Sequence, residues 1–450
     1  MFSTSSALLR LTLICAACFS LGAQAADDRE SLFGDDLPAA KGKAPGDGGG
    51  SGIRGFIQLE LARTTADPDH WSKMRARADL NSQGRLSDNV KWKLGVRADY
   101  DAVYGINDFY PQPVRRDQRS NFDLRENYLD ISAGNGWDFR LGRQHVVWGE
   151  MVGLFFADVV SARDLREFIL PDFDQMRTPQ WAARAEYFGD DFHGELLWIP
   201  VATYDDIGKP GAEFFPAQPV PASFTARYLS ERRPRNLDNM NYGLRLSTLQ
   251  GGWDISGFFY RSSDVNATFY RAPISADPII TYEARHDRIS QTGGTLTKDF
   301  GDVVLKAETV YTRGRSFTLL DPADADGVAR QNTLDWAAGL DFTLAADTRF
   351  NVQFYQRYFY SHNPGLISDK RENGYSLLLN SKLFANWEAQ ALVIASINRN
   401  DWLFRPRLTW NFERNWRWLI GADIFNGSPM GMFGRYDQQD RVYSEIRYSF

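Results

Sequence analysis

From Ile53 to Phe450 apolar residues recur at every second position, and no apolar run of membrane-helix length follows residue 25. A helix needs about 20 consecutive apolar residues to cross a bilayer. A strand of period two needs none, because it shows one apolar and one polar face. Three segments make the pattern plain. Trp92, Leu94, Val96, Ala98 and Tyr100 alternate with Lys91, Lys93, Arg97, Asp99 and Asp101. Leu334, Trp336, Ala338, Leu340, Phe342 and Leu344 alternate with Asp335, Gly339, Asp341 and Thr343. Trp402, Phe404, Pro406, Leu408, Trp410 and Phe412 alternate with Arg405, Arg407, Thr409 and Asn411. In a soluble sandwich such apolar faces meet a second sheet. Here Trp137, Trp253, Trp387 and Trp416 gather at strand ends, as the interfacial girdles of a transmembrane barrel do.

The spacing of turns points the same way. Short links are expected at 82–89, 134–136, 189–191, 250–252, 300–302, 345–347, 385–386 and 413–414. Between them fall mostly longer links, at 105–121, 148–178, 204–237, 263–285, 314–331, 361–372 and 427–437, with two short ones near 65–69 and 399–401. Bacterial outer-membrane barrels have short periplasmic turns, longer outer loops and an even number of strands. The expected fold is therefore all-β: a transmembrane antiparallel β-barrel of about 18 strands (roughly 16–18) with a pore-folded loop carrying a short helix. Within it, Thr268–Arg271 and residues 279–283 are expected to form a hairpin above the membrane.

Residues 1–25 read as a cleaved secretory signal. Arg10 is the only charge before Asp27, residues 11–21 are apolar, and Ala23-Gln24-Ala25 offers an A-x-A site. Cleavage after Ala25 removes both cysteines, Cys15 and Cys18, and with them any disulfide or thiolate chemistry. Residues 26–52 are of low complexity and read as a flexible periplasmic lead-in. Residues 53–450 are the barrel, placed in the bacterial outer membrane. Val442, Ile446, Tyr448 and Phe450 form the apolar face of the last strand, and Tyr448 with Phe450 is the expected membrane-assembly signal. The expected partners are outer-membrane lipid, the barrel assembly machinery and a periplasmic or inner-membrane transport partner. Losing Arg10 takes the net charge from −6 to −7, which argues against a nucleic-acid partner.

A barrel of this size holds water unless something fills it. Its inward positions carry Arg75, Arg77, Arg97, Arg140, Arg405 and Arg407, interleaved with acids such as Asp79, Asp99, Asp130 and Glu308. Two readings stand. The rows are ladders of paired charges that stiffen a wet wall, or the arginines attract an anionic solute, which the guanidinium fork suits. Residues 141–181 break the alternation. An apolar stretch, 151–156, follows Trp148-Gly149-Glu150, and residues 162–168 read as a short helix that Asp158 or Ser161 caps and Pro171 ends. An apolar loop of this length should not lie exposed in water. Its economical place is the barrel mouth, where Arg143, Glu150, Asp158, Arg163, Asp164 and Arg166 would set a constriction.

The block Gly142-Arg143-Gln144-His145-Val146-Val147-Trp148-Gly149-Glu150 resembles the GRQ-x-x-x-WGE signature of a proteobacterial outer-membrane family, domain of unknown function 1302. The tail Gly421-Ala422-Asp423-Ile424-Phe425-Asn426-Gly427, with Phe433-Gly434-Arg435-Tyr436-Asp437 and Asp440-Arg441-Val442-Tyr443, resembles that family's C-terminal end. The resemblance implies a porin-like barrel that handles hydrophobic or lipid-like compounds, with no agreed substrate and no catalytic residues. In architecture the chain is also similar to the alginate-export barrels, whose arginine-lined pore passes a polyanion; the mixed charge here departs from that pattern.

The expected function is a channel for diffusion or export of a small, lipid-like or anionic solute, with selectivity set by loop 148–178. The alternative is a receptor or adhesin using loops 204–237 and 263–285. An enzyme would need a histidine-centred dyad. Of His70, His145, His193, His286 and His362, only His145 has carboxylates near in sequence, Glu150 and Asp158. No dense ligand spacing points to a metal, and no catalytic residue or cofactor is expected.

Overall fold

The computed structural model describes residues 52–151, 157–273, 277–321, 324–344 and 347–450. The signal and nearly all of the lead-in therefore lie outside the described residues, as do most of the apolar stretch 151–156 and part of the turn at 345–347.

Eighteen antiparallel strands form one closed sheet. They are β1 (Arg54–Thr64), β2 (Trp71–Ser87), β3 (Val90–Asp101), β4 (Ser120–Gly134), β5 (Trp137–Gln144) and β6 (Gln180–Phe188). Then come β7 (Phe192–Ile199), β8 (Asn241–Gln250), β9 (Trp253–Ser263), β10 (Arg288–Asp299), β11 (Val303–Thr318) and β12 (Val328–Leu344). The circle ends with β13 (Thr348–Phe359), β14 (Arg371–Phe384), β15 (Trp387–Ser396), β16 (Asp401–Glu413), β17 (Trp416–Gly427) and β18 (Arg441–Ser449). Each strand pairs with the next, and β1 pairs with β18 from Phe56↔Ser449 to Thr64↔Arg441. Gly55 and Phe450 exchange two backbone bonds of 2.9 Å beside that seam. An even count is what lets the first and last strands meet antiparallel.

Burial is inverted relative to a soluble protein. Phe122 is 67% exposed on the outer wall, whereas Asp423 is fully buried inside. Trp137, Trp253, Trp387 and Trp416 each open a strand just after a short turn, so they share the rim that faces the periplasm in barrels of this kind. Trp387 stacks on Trp410 with centroids 5.3 Å apart, Trp416 meets Tyr448 at 4.9 Å, and Tyr448 meets Phe450 at 6.0 Å. The C-terminal aromatics are thus part of the girdle.

Three expectations are corrected in detail. The link at 82–89 is only residues 88–89, because Gly84 stays in the strand; a Cβ there would lie 2.9 Å from the Trp92 ring opposite. The link at 314–331 shrinks to 319–327, because Gly314 (φ +79°) is taken up in a bulge between Thr312 and Arg315. Residues 162–168 are not a helix. Ala162–Arg163 is a two-residue strand paired with Arg177–Thr178. The Arg163 N–H donates to the Asp205 carboxylate (2.8 Å), Asp206 N–H donates to the Arg163 carbonyl (2.8 Å), and Leu165 N–H donates to the Asp206 carbonyl (2.7 Å). Those partners hold 162–165 extended, and a turn closed by Phe168 N–H donating to the Leu165 carbonyl (2.8 Å) follows in place of a helix. The loop's helical turn is Phe173–Met176 instead.

Above the outer rim, Thr268–Arg271 and Ile279–Arg285 form the expected hairpin, and Thr225–Tyr228 adds a third, parallel strand. Phe269, Ile280, Tyr282 and Ala284 are its buried centre.

Gly142, in the GRQ block, needs to be glycine. Its φ is +133°, and a Cβ would overlap the Asn127 carbonyl oxygen and lie 2.7 Å from the Tyr128 Cα. Gly142→Ala is expected to lower stability by about 2 kcal/mol or more. The check is the urea midpoint of the folded, heat-modifiable band on a semi-native gel; an unchanged midpoint would mean that the strand pair relaxes around the methyl group.

Candidate functional site

In the link between β5 and β6, the described residues 145–151 and 157–179 turn into the lumen rather than out to solvent. A chain that leaves the sheet takes its backbone polar groups with it, and buried ones need partners. The wall supplies them in sectors around the ring.

Val146, Trp148, Ala157, Val159 and Val160 pack on β6, β7, β9 and β11. Trp148 is fully buried, with its ring 5.3 Å from Phe258 and 5.7 Å from Tyr260. It fits because Gly243 has no side chain; a Cβ there would stand 2.6 Å from the indole. Its Nε1 donates to Glu195 at 3.0 Å. Glu308 of β11 is the next anchor. Its carboxylate accepts the backbone N–H of Glu150, of Met151 (2.7 Å) and of Ala157 (3.0 Å). Glu150 itself accepts from the hydroxyls of Thr295 (3.2 Å) and Thr297, with Arg245 at 3.8 Å.

The far half of the loop is held by arginines. Arg405 donates to the Leu170 carbonyl while paired with Asp423 at 2.7 Å. Arg407 donates to Asp172 at 2.8 Å and to the Tyr443 hydroxyl at 2.8 Å. Arg97 donates to the Gln175 carbonyl (2.8 Å), and Arg77 to its side-chain oxygen (2.6 Å). Arg77 also pairs with Asp99 and Arg97 with Asp79, both at 2.7 Å. Arg125 donates to the carbonyls of Asp174 (2.8 Å) and Arg177 (2.9 Å). Glu167 sits among Lys73, Arg75 (2.7 Å) and Arg441 (3.2 Å), and Glu60 of β1 shares the first two. Burial alone would raise the Glu167 carboxyl, but Arg75, Lys73 and Arg441 hold it well below its usual range. Arg407 does the same for Asp172.

The residues expected to form a constriction separate into three groups. Asp158 and Arg163 lie inside, Asp158 paired with Arg177 (3.0 Å) and Arg163 with Asp205. Asp164 and Arg166 pair with each other at 2.6 Å beside a void of only about 50 Å³. Glu150 is bound to the β10 hydroxyls, and Arg143 stands opposite Asn127 and Trp181 in the register, half-buried, its Nε without a partner. Of the wall arginines, Arg75, Arg77, Arg97, Arg405 and Arg407 grip the loop. Arg140 instead pairs with Asp130 (2.6 Å) and stacks over Tyr128 at 4.4 Å. The dyad that His145 would need is not assembled. Glu150 and Asp158 are held by the partners just named, and His145 Nδ1 is buried without one. Burial, with Arg125 and Arg177 near, holds that ring well toward its neutral form. Among the described residues no cluster of three His, Cys, Asp or Glu side chains could hold a metal ion.

On the other side, between the loop and the wall from β10 to β16, a cavity of about 700 Å³ remains. It is lined by Leu165, Phe168 and Ile169 of the loop, Arg315 and Arg357 of the wall, Arg399 of the link between β15 and β16, and outer-loop residues such as Phe214 and Phe269. Sequence reasoning missed Trp148 and Glu308 as anchors and these three arginines as cavity lining. The WGE block was the available signal for Trp148; an inward glutamate facing a loop 150 residues away in sequence carries no local signal.

The family model described as "Protein of unknown function (DUF1302)" matches residues 66–450. Solved structures share the barrel. OccAB2 of Acinetobacter baumannii is 10% identical, with 90% of this chain and 99% of that chain covered and a TM-score of 0.54. OccAB4 of the same organism is 8% identical, with 90% and 100% covered and a TM-score of 0.51. At these identities the likeness shows the outer-membrane barrel fold. No curated protein matches the sequence.

Two outcomes follow for the loop. Glu308→Gln puts an amide N–H₂ where backbone N–H groups converge and removes charge-assisted bonds of about 1.5–3 kcal/mol each. Amide exchange at residues 148–151 and 157–160 is expected to speed at least tenfold with the barrel intact, and exchange at the wild-type rate would show that Trp148 alone seats the loop. The second outcome concerns pH. A depressed carboxyl contributes stability above its unfolded value, near 4, and loses it only as pH falls through the lower folded value. The Glu167 and Asp172 anchors should therefore keep residues 165–177 protected from pH 7 down to about 4; loss of protection above that point, after correction for intrinsic exchange, would contradict the pairing.

Proposed function

The chain belongs to the DUF1302 family, and from that membership and its loop-filled lumen we propose that it is a porin-like outer-membrane channel for diffusion or export of a small, lipid-like or anionic solute. The observation that carries this reading is the asymmetry of the lumen. On the β1–β4 and β16–β18 side the loop is sealed to the wall by ion pairs, leaving a void of about 50 Å³. On the β10–β16 side a cavity of about 700 Å³ stays open beside the same loop. A plug that only stiffened the barrel would gain from filling both sides, since unfilled space forfeits packing.

In this reading loop 148–178 sets the width of the path, with Asp158 and Arg163 on its border, and the arginine rows set the position of the loop. Passage is down a gradient or drawn by a periplasmic or inner-membrane partner. Tyr448 and Phe450, at the end of the closing strand, are the proposed signal for the assembly machinery, and the protein is proposed to reside in the outer membrane after cleavage at Ala25.

The test is single-channel conductance in a planar bilayer, beside a variant lacking residues 152–177. Steady conductance that rises at least twofold in the deletion is the expected outcome. No conductance in either form would sink the channel reading.

A further inference from the structure

The cavity wall is not evenly charged, although the ion pairs along it are. Three carboxylates at the wall are almost wholly covered: Asp264, Asp335 and Asp401 are each 3% exposed. Asp401 is spent on the backbone, accepting the N–H groups of Met432, Phe433 and Gly434 at 2.7–3.0 Å. Asp264 and Asp335 sit behind their arginines. The side chain of Arg315 is 14% exposed against 4% for Asp264, and that of Arg357 is 34% exposed against 5% for Asp335. At these two pairs the guanidinium groups face the cavity and the acids are covered, while Glu372, 24% exposed beside Arg399, is a partly open acid of the same wall. Arg435, on the outer loop between β17 and β18, also lines the cavity and donates its Nε to the neutral Gly431 carbonyl at 3.0 Å. Facing these groups is apolar surface: Phe168 and Ile169 of the lumen loop, Ile394 of β15, and Met430, Met432 and Phe433 at the mouth.

We propose that this cavity is a binding site for amphipathic organic anions, a carboxylate on an unbranched or ring apolar body of medium length. The proposal rests on the channel reading and names the solute class. Its carboxylate would meet Arg357 and Arg435, for which the planar guanidinium offers paired N–H donors. Its apolar body would lie on Phe168, Ile169 and Met432, removing apolar area from water at roughly 25 cal/mol per Å². A volume of about 700 Å³ is within the range of about 300–1,000 Å³ in which small-molecule ligands are largely buried. A polyanion fits poorly, because Arg315, Arg357 and Arg399 each already pair with a carboxylate, and Arg357 has only its remaining N–H donors to offer. A small inorganic anion would leave the apolar face unused.

The test uses octanoate as the probe, with acetate, octanol and octyltrimethylammonium beside it, on the full chain folded in amphipol for calorimetry and in a planar bilayer for current. The variants are Arg435→Gln, which breaks no ion pair, and Arg357→Gln combined with Asp335→Asn, which removes both partners so that no buried carboxylate is stranded. Octanoate is expected to bind, and to interrupt the potassium chloride current, at least tenfold more tightly than the other three. Combining the variants is expected to weaken it at least tenfold with the folded, heat-modifiable barrel retained, and Arg357→Lys on the Arg435→Gln background is expected to restore part of the loss. Equal binding of octanol or of the cation, or a combined variant that binds octanoate as before, overturns the site. Conductance without octanoate binding also overturns the site and leaves the channel. Octanoate binding without conductance supports the site and overturns the channel.

Discussion

Hydrocarbon offers backbone N–H and C=O groups no partner, and the rest of this molecule follows from that constraint. It forces the sheet to close, which the β1–β18 seam does. Closure with 18 strands encloses more space than wall side chains fill. The loop that enters this space meets the same rule again, since its own carbonyls lie out of reach of the sheet. Arginines from β3, β4 and β16 answer for the carbonyls of Leu170, Asp174, Gln175 and Arg177. One glutamate answers for three loop N–H groups.

Arginine is the residue that can do this twice at once. Its fork donates Nε to a carboxylate on the neighbouring strand and a terminal nitrogen to the loop, as Arg405 does with Asp423 and Leu170. Lysine, a single flexible donor point, would have to choose. The strand-to-strand ladder and the loop clamp are therefore one network. Taking away one member strands a buried charge, a loss of about 3–5 kcal/mol, far above that of an exposed pair.

The closed barrel was legible in the chain because period two, girdle tryptophans and alternating turn lengths are local signals. The hairpin at Thr268–Arg271 was legible for the same reason. What failed was decided by distant partners. Residues 162–168 carry a helical pattern, yet the Asp206 backbone and the Asp205 carboxylate claim the first half, 162–165, as extended chain. Gly84 and Gly314 look like breakers but remain in strands, one under Trp92 and one in a bulge. Of the site, the sequence marked the loop and the inward arginines but not their division of labour. Which arginine meets the loop and which meets the cavity depends on register across six strands, and no periodicity carries that.

This division limits where a solute can be recognised. Suppose that an anion were bound by Arg75, Arg77, Arg97, Arg405 or Arg407. It would have to displace a carboxylate or a loop carbonyl from each, and a buried pair broken on one side leaves its partner uncompensated. An incoming carboxylate regains at best what it removed, so the exchange has little driving force and unseats the loop as well. The wall opposite carries no such penalty. There Asp335 is covered, Arg357 and Arg435 line the cavity, and among the described residues no carbonyl of loop 145–179 depends on either. A solute can gain contacts there from the donor of Arg357 that Asp335 does not take. The same chemistry thus holds the structure on one side of the lumen and is left available on the other, and the position of loop 145–179 is what separates the two.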